Sequence, residues 1–195
     1  MNRLRSQKNT LAWNSNTSIA TRLATILIGA AFIGLAAQVK IPLPWTPVPI
    51  TGQTFAVLLA GVLWGAQGGA LITTAYILLG GLGIPWFAGA AGGTAVLVGP
   101  TAGYLVGFIP AAYCTGLLYN RFAWARRLPG LILVMTCANF IFIHGTGMIW
   151  LGCITGIHDI SKLLALGMLP FISGDLVKIT AAAAVVRSFS SRNQT

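Results

Sequence analysis

Acidic residues are almost missing. Asp159 and Asp175 are the only two among 195 residues, set against 12 Lys and Arg. Charged residues of both signs make up 7% of the chain, where a soluble domain carries about 25%. So few charges cannot cover a globular surface. Disorder is excluded as well, because a disordered chain is polar and this one is 56% hydrophobic. The net charge of +10 would suit nucleic acid only if the cations shared one face. They lie at the chain ends and between apolar blocks instead, so no nucleic-acid partner is expected. Cys114, Cys137 and Cys153 are odd in number, lack CxxC spacing and sit in apolar runs; buried free thiols are the expectation. There is no GxSxG, HExxH or GxxxxGK[ST] pattern and no metal-ligand spacing. Neither an enzyme nor a resident cofactor or metal is expected.

What the chain does have is long apolar blocks. From Ile41 to Asn120 no residue is charged and none is histidine. One membrane crossing needs about 20 apolar residues, so this block can hold three crossings and their turns. Leu23–Val39 and Leu128–Ile157 are likewise free of charge, and Leu163–Val186 is interrupted only by Asp175 and Lys178. The fold class predicted is all-α: an integral membrane bundle of six helices over roughly 19–39, 52–67, 69–83, 101–120, 129–152 and 163–187. Continuous rather than alternating apolarity argues against a β-barrel.

Cation placement gives the orientation. Arg3, Arg5, Lys8 and Arg22 gather at the first helix, Arg121, Arg126 and Arg127 between the fourth and fifth, and Arg187 and Arg192 after the sixth. Six crossings place all three groups on one side, which the positive-inside rule makes cytoplasmic. Lys40, His158, Asp159 and Lys162 then fall outside. The organisation expected is a polar basic cytoplasmic tail over 1–18, a membrane domain over 19–188 and a short cytoplasmic tail over 189–195. No cleavable signal peptide is expected.

Two outer loops stand out. Four prolines crowd Pro42–Pro49 beside Trp45 and Ile50, which forbids a regular helix. The segment is a turn or a structured pocket wall, and Trp45 and Ile50 favour the wall. The second loop, Gly80–Gly93, sets Trp86 and Phe87 among small residues, which suits close packing or a ligand that stacks on aromatics. Small residues at intervals of four (Gly61, Gly65 and Gly69; Gly99, Gly103 and Gly107; Ala30 and Gly34) let helix backbones approach closely.

The informative pair is Asp175 and Lys178. Pro170 and Ser173-Gly174 suggest a helix start, placing the pair on its first turns, and a spacing of three puts both side chains on one face. Each charge near mid-membrane costs about 2.5–3.5 kcal/mol on insertion scales. Either the two form an ion pair that locks the bundle, or they make a polar floor in an apolar pocket for a mainly apolar molecule with a few polar atoms. Gln53 and Tyr76 could reach that pocket or bridge helices. His144 is expected to be a hydrogen-bonded packing residue rather than a relay.

Four blocks carry a resemblance: Ile41 to Thr54 with its prolines and Gln53; Gly83-x-Pro85-x-Phe87-Ala88-Gly89-x-x-Gly92-Gly93; Gly99-Pro100-Thr101-x-Gly103-Tyr104-Leu105-x-Gly107-Phe108; and Pro170-Phe171-x-x-Gly174-Asp175-Leu176-x-Lys178. In this order, over about residues 20–188, they resemble the BioY proteins, biotin-binding S components of energy-coupling factor transporters. The resemblance implies a six-helix bundle with both termini inside and a biotin pocket closed by the outer loops. It implies that Asp175 and Lys178 bind biotin, Asp175 through a ureido N–H and Lys178 through the ureido oxygen or the valerate carboxylate. Gln53, Tyr76, Trp86 and Phe87 are the further candidates for the biotin site. Family members can carry an Asn ligand in the second outer loop; here Phe87-Ala88-Gly89-Ala90 has none. Ala30 and Gly34 resemble the face by which S components dock to a transmembrane T component. Expected partners are biotin, membrane lipid, and a T component with two ATPases, or further copies of the chain if it works alone. The expected location is the cytoplasmic membrane, multi-pass. The alternative is a self-sufficient proton- or ion-coupled carrier of biotin or another small vitamin, with Asp175 as the proton site.

Overall fold

The computed structural model describes residues 18–192, with side chains as far as Phe189. The expected basic tail lies, apart from Ser18, outside the described residues, as do 193–195. Helix α1 (Ile19–Ala37) starts where Ser18 accepts the Thr21 N–H at 3.2 Å, occupying one of the free donors of the first turn. Its buried residues, Gly29, Ala30, Ile33, Gly34 and Ala37, recur at three and four and form one inward face. Strands β1 (Lys40–Ile41) and β2 (Ile50–Thr51) pair antiparallel, Lys40 opposite Thr51 and Ile41 opposite Ile50. The prolines between them lack N–H donors, so the ladder stops and the segment stays a loop.

Helix α2 (Gln53–Gly81) is broken at Gly65, whose φ of 72° and ψ of −178° lie in a region open essentially to glycine. The chain folds back there. A Cβ on Gly69 would come within 2.7 Å of the Gly61 Cα, whereas a straight helix separates residues eight apart by about 12 Å. The turn expected near residue 68 is therefore at Gly65, and Gly69 is a packing residue. Spacing alone does not tell a turning glycine from a packing one.

A single turn, α3 (Thr94–Leu97), precedes α4 (Ala102–Arg121), which crosses α2 at small residues: a Cβ on Gly61 would meet the Ala112 carbonyl oxygen. Helix α5 (Leu128–Ala138), a π-helical stretch (Asn139–His144) and α6 (Gly145–Thr155) run on as one rod, ended by Gly156 at φ 68°. Asp159 caps α7 (Ile160–Gly167) by accepting the Ser161 and Lys162 N–H groups. The last expected helix, 163–187, is thus two: Pro170 in the turn at Leu169–Phe171 separates α7 from α8 (Ile172–Arg192).

Five helical stretches among the described residues are long and apolar enough to cross a membrane, the folded-back Gln53–Gly81 counted once. Leu35, Ile149 and Val177, from three different elements, are each about 70% exposed. Lipid covers such a surface; water would not tolerate it. The molecule is a mostly helical, multi-pass membrane protein. Cys137 and Cys153 are exposed on this surface and Cys114 is half-buried, so the expected burial of the thiols does not hold. In lipid, a thiol on the outer face is as well solvated as one in the core.

Candidate ligand-binding site

A cavity of about 380 Å³ opens where the β-hairpin, the Gly83–Gly99 loop, α4 and the start of α8 converge. Ligand pockets span about 300–1,000 Å³. Pro47, Val48 and Pro49 form one wall, and Phe87, Ala88 and Ala91 another. The proline segment is thus a structured wall, fixed from behind by a Thr46 Oγ1–H bond to the Leu166 carbonyl at 2.8 Å. Trp45 takes no part in it and is 60% exposed.

Asp175 and Lys178 sit on the cavity floor. Asp175 is 2% exposed and lies in the first turn of α8, where the helix dipole favours an anion. Its Oδ1 meets the Lys178 ammonium at 2.6 Å. Its Oδ2 accepts from Asn139 Nδ2 at 2.9 Å and contacts His144 Nε2 at 2.6 Å. Lys178 Nζ also donates to the Thr51 carbonyl at 3.0 Å, tying the floor to the hairpin. His144 Nδ1 faces the Gly167 carbonyl at 3.0 Å, which accepts from Tyr104 Oη as well. A carbonyl only accepts, so Nδ1 carries a proton.

The π-helical stretch explains how Asn139 and His144 reach the same carboxylate. Five residues along an α-helix differ by about 140° in direction. One wider turn brings both side chains round to α8, as π-bulges at functional sites do. Nothing in the sequence marks that extra turn, so Asn139 was not foreseen. His144 is expected from the sequence as a hydrogen-bonded packing residue, not as a partner of Asp175. Packing and polar roles prove joint: the ring stacks on Phe140 and tilts against Phe171 while bonding Asp175.

Gln53 and Phe87 line the cavity, but Tyr76 and Trp86 do not. They stand one layer behind. Tyr76 Oη accepts from Gln53 Nε2 at 2.7 Å, Thr51 Oγ1 donates to Gln53 Oε1 at 2.8 Å, and Trp86 Nε1 donates to the Tyr76 carbonyl at 2.9 Å. These bonds orient Gln53, and Tyr76 meets Phe87 edge-on. Tyr76 and Trp86, expected among the ligand contacts, back the cavity wall rather than line it. Ala30 and Gly34 also differ from expectation. Ala30 is fully buried, and a Cβ on Gly34 would meet the Trp86 Cβ at 2.9 Å. This face of α1 packs inside the bundle and offers no partner surface. The outward face carries Ala20, Ala24, Ile28, Ala31 and Leu35. A 3.6-residue period identifies a small-residue stripe but not which stripe turns inward.

Comparison with known proteins supports the resemblance. The family model described as "BioY family" matches residues 6–195. The chain is 40% identical over 163 residues to the biotin transporter BioY of Thermotoga maritima, covering 81% of this chain and 89% of that one. It is 33% identical over 170 residues to the biotin transporter BioY of Rhizobium etli, covering 84% and 89%. The crystal structure of the S-component for biotin from an ECF-type ABC transporter matches with a TM-score of 0.82 at 26% identity, over 92% of this chain and 95% of that one. With the apolar exterior and the polar-floored cavity already in place, the conclusion is that this chain belongs to the BioY family.

Proposed function

We propose that the chain is the biotin-binding S component of an energy-coupling factor transporter, taking biotin from the outer side of the cytoplasmic membrane. One observation carries this: an apolar cavity whose floor presents an ion pair with one donor and one acceptor to spare. Oδ2 of Asp175 has two partners and Oδ1 has one, which leaves one lone pair on Oδ1. Lys178 uses two of its three N–H bonds, on Asp175 and Thr51. A vacant acceptor beside a vacant donor complements a cyclic urea, in which an N–H adjoins the carbonyl. Asp175 accepts the ureido N–H, Lys178 donates to the ureido oxygen, and Phe87, Val48 and Phe108 enclose the apolar remainder.

The two halves of α2 count as separate crossings in this reading, giving six with α1, α4, α5–α6 and α8. Arg121, Arg126 and Arg127 lie at the Gly65 end, away from the cavity, so the cavity opens outward and both termini are cytoplasmic. A T component and two ATPases would supply the energy, since this chain has no nucleotide-binding motif. The exposed face of α1 is where a partner helix could pack. Equilibrium binding of labelled biotin to the detergent-purified chain tests the function. Desthiobiotin, which keeps the ureido ring, is expected to compete; lipoate and thiamine are not. No retained biotin, or displacement by lipoate as readily as by desthiobiotin, overturns it.

His144→Phe isolates the hydrogen bonds from the packing. A phenyl ring keeps the contacts with Phe140, Phe171 and Tyr104 and removes both ring nitrogens, while Tyr104 still satisfies the Gly167 carbonyl. Asp175 loses a contact that fixes its rotamer. Biotin affinity is expected to drop about tenfold, near 1.4 kcal/mol, and the thermal midpoint is expected to fall as well, because buried Asp175 loses a partner. The same binding titration reads it out.

A further inference from the structure

A second cation, exposed at the rim of the cavity, is not explained by the floor. Lys40 lines the cavity from β1, directly opposite Thr51 across the hairpin. Its side chain reaches over the second outer loop: a Cβ on Gly89 would stand 3.0 Å from Nζ, so the glycine leaves room for the ammonium. Gln38 holds that loop in place, accepting the Ala90 N–H at 2.9 Å and donating to the Trp86 and Phe87 carbonyls. Among the described residues the Lys40 ammonium makes no ion pair or hydrogen bond.

The chain has no anion to give it. Of the two acids in the whole sequence, Asp175 is taken by Lys178, His144 and Asn139. Asp159 caps α7. The charged and titratable groups around the cavity are therefore Lys40, Lys178, His144 and Asp175, with Tyr104 beside them. Their positive charge exceeds their negative charge. A cation facing a largely apolar cavity without a counter-charge favours an anionic guest.

We infer that Lys40 is a specificity-determining residue, the counter-ion for the ionised carboxylate of the ligand. The inference rests on the biotin reading. There the floor groups engage the ureido ring, which leaves the carboxylate at the other end of the molecule to Lys40 at the loop side.

The test compares biotin with its primary amide, which keeps the ring and chain but has no charge. The parent chain is expected to bind the acid at least tenfold more tightly than the amide. Lys40→Gln is expected to weaken the acid at least tenfold and change the amide less than twofold, so the preference disappears. Lys40→Arg restores it. Equal affinity of the parent for acid and amide, or equal loss of both in Lys40→Gln, overturns the assignment while leaving the biotin reading standing. A parent chain that binds neither overturns the biotin reading, and the assignment with it. The preference of the parent chain needs no variant to fold.

Discussion

Asp175→Asn is expected to lower the affinity for biotin a hundredfold or more, about 2.7 kcal/mol, in protein that still inserts and purifies as a single species. A neutral amide replaces the carboxylate poorly in either orientation. With its NH₂ at the Oδ1 position it points at the Lys178 ammonium; at the Oδ2 position it points at the Asn139 Nδ2 donor. Lys178 loses its counter-charge each way; with NH₂ at the Oδ1 position the vacant acceptor for the ureido N–H goes too, and in the other orientation a neutral amide oxygen accepts it more weakly than a carboxylate. Removing one member of a buried pair typically costs about 3–5 kcal/mol, so the thermal midpoint of the empty protein is expected to fall too. That drop alone would not separate a ligand floor from an ion pair that locks the bundle. The double variant Asp175→Leu/Lys178→Met does. Two apolar residues of similar volume commonly restore stability lost with a buried pair. If the pair serves only the bundle, the double variant binds biotin like the parent. The expectation is partial recovery of thermal stability, since Asn139 and His144 still lose their partner, with no measurable biotin binding.

Much of this was legible in the sequence, and the reason is physical. Membrane helices must be long and continuously apolar, so the blocks around Leu23–Val39, Ala102–Arg121 and Leu128–Ile157 announce themselves. Charges inside such blocks are costly, so Asp175 and Lys178 stand out against the background. Proline fixes φ wherever it occurs, so the Pro42–Pro49 segment could not be helix. What stayed hidden depends on direction rather than type. Which way Ala30 and Gly34 face is decided by the partner packed against α1, here Trp86 and Ile72. Whether Gly65 or Gly69 turns is decided by φ. The extra residue of the π-helical stretch, which recruits Asn139, leaves no compositional trace. Lys40 was seen only as one of a sparse set of outer cations; its place on the cavity wall comes from the hairpin register that sets it opposite Thr51.

Two glycines are expected to respond in opposite ways. Gly174 belongs to the Gly174-Asp175-x-x-Lys178 pattern by which the site was recognised, and Gly116 belongs to no pattern singled out above. Yet the nearest atom to a Cβ on Gly174 is the Ile50 Cγ2 at 3.9 Å, an ordinary van der Waals separation. Gly174→Ala is expected to leave the thermal midpoint and biotin affinity unchanged within twofold. A Cβ on Gly116 would instead run into the Gly61 carbonyl oxygen and stand 2.6 Å from the Ala66 nitrogen and the Gly65 carbonyl carbon. All three are backbone atoms around the tight reversal of α2, so no side-chain rotation relieves the contact. Lipid tails are as apolar as the side chains, so helices here associate by close packing rather than by escape from water. Pushing α4 off α2 forfeits contacts that nothing else replaces. Overpacking costs about 1–3 kcal/mol, at times more; with rigid backbone on the receiving side, Gly116→Ala falls at the upper end and Gly116→Leu yields no folded protein. Thermal scans in detergent with size-exclusion profiles measure both. Because α4 also carries Tyr104 and Phe108 in the cavity wall, surviving Gly116→Ala protein is expected to bind biotin less tightly, although residue 116 lies about two turns beyond Phe108.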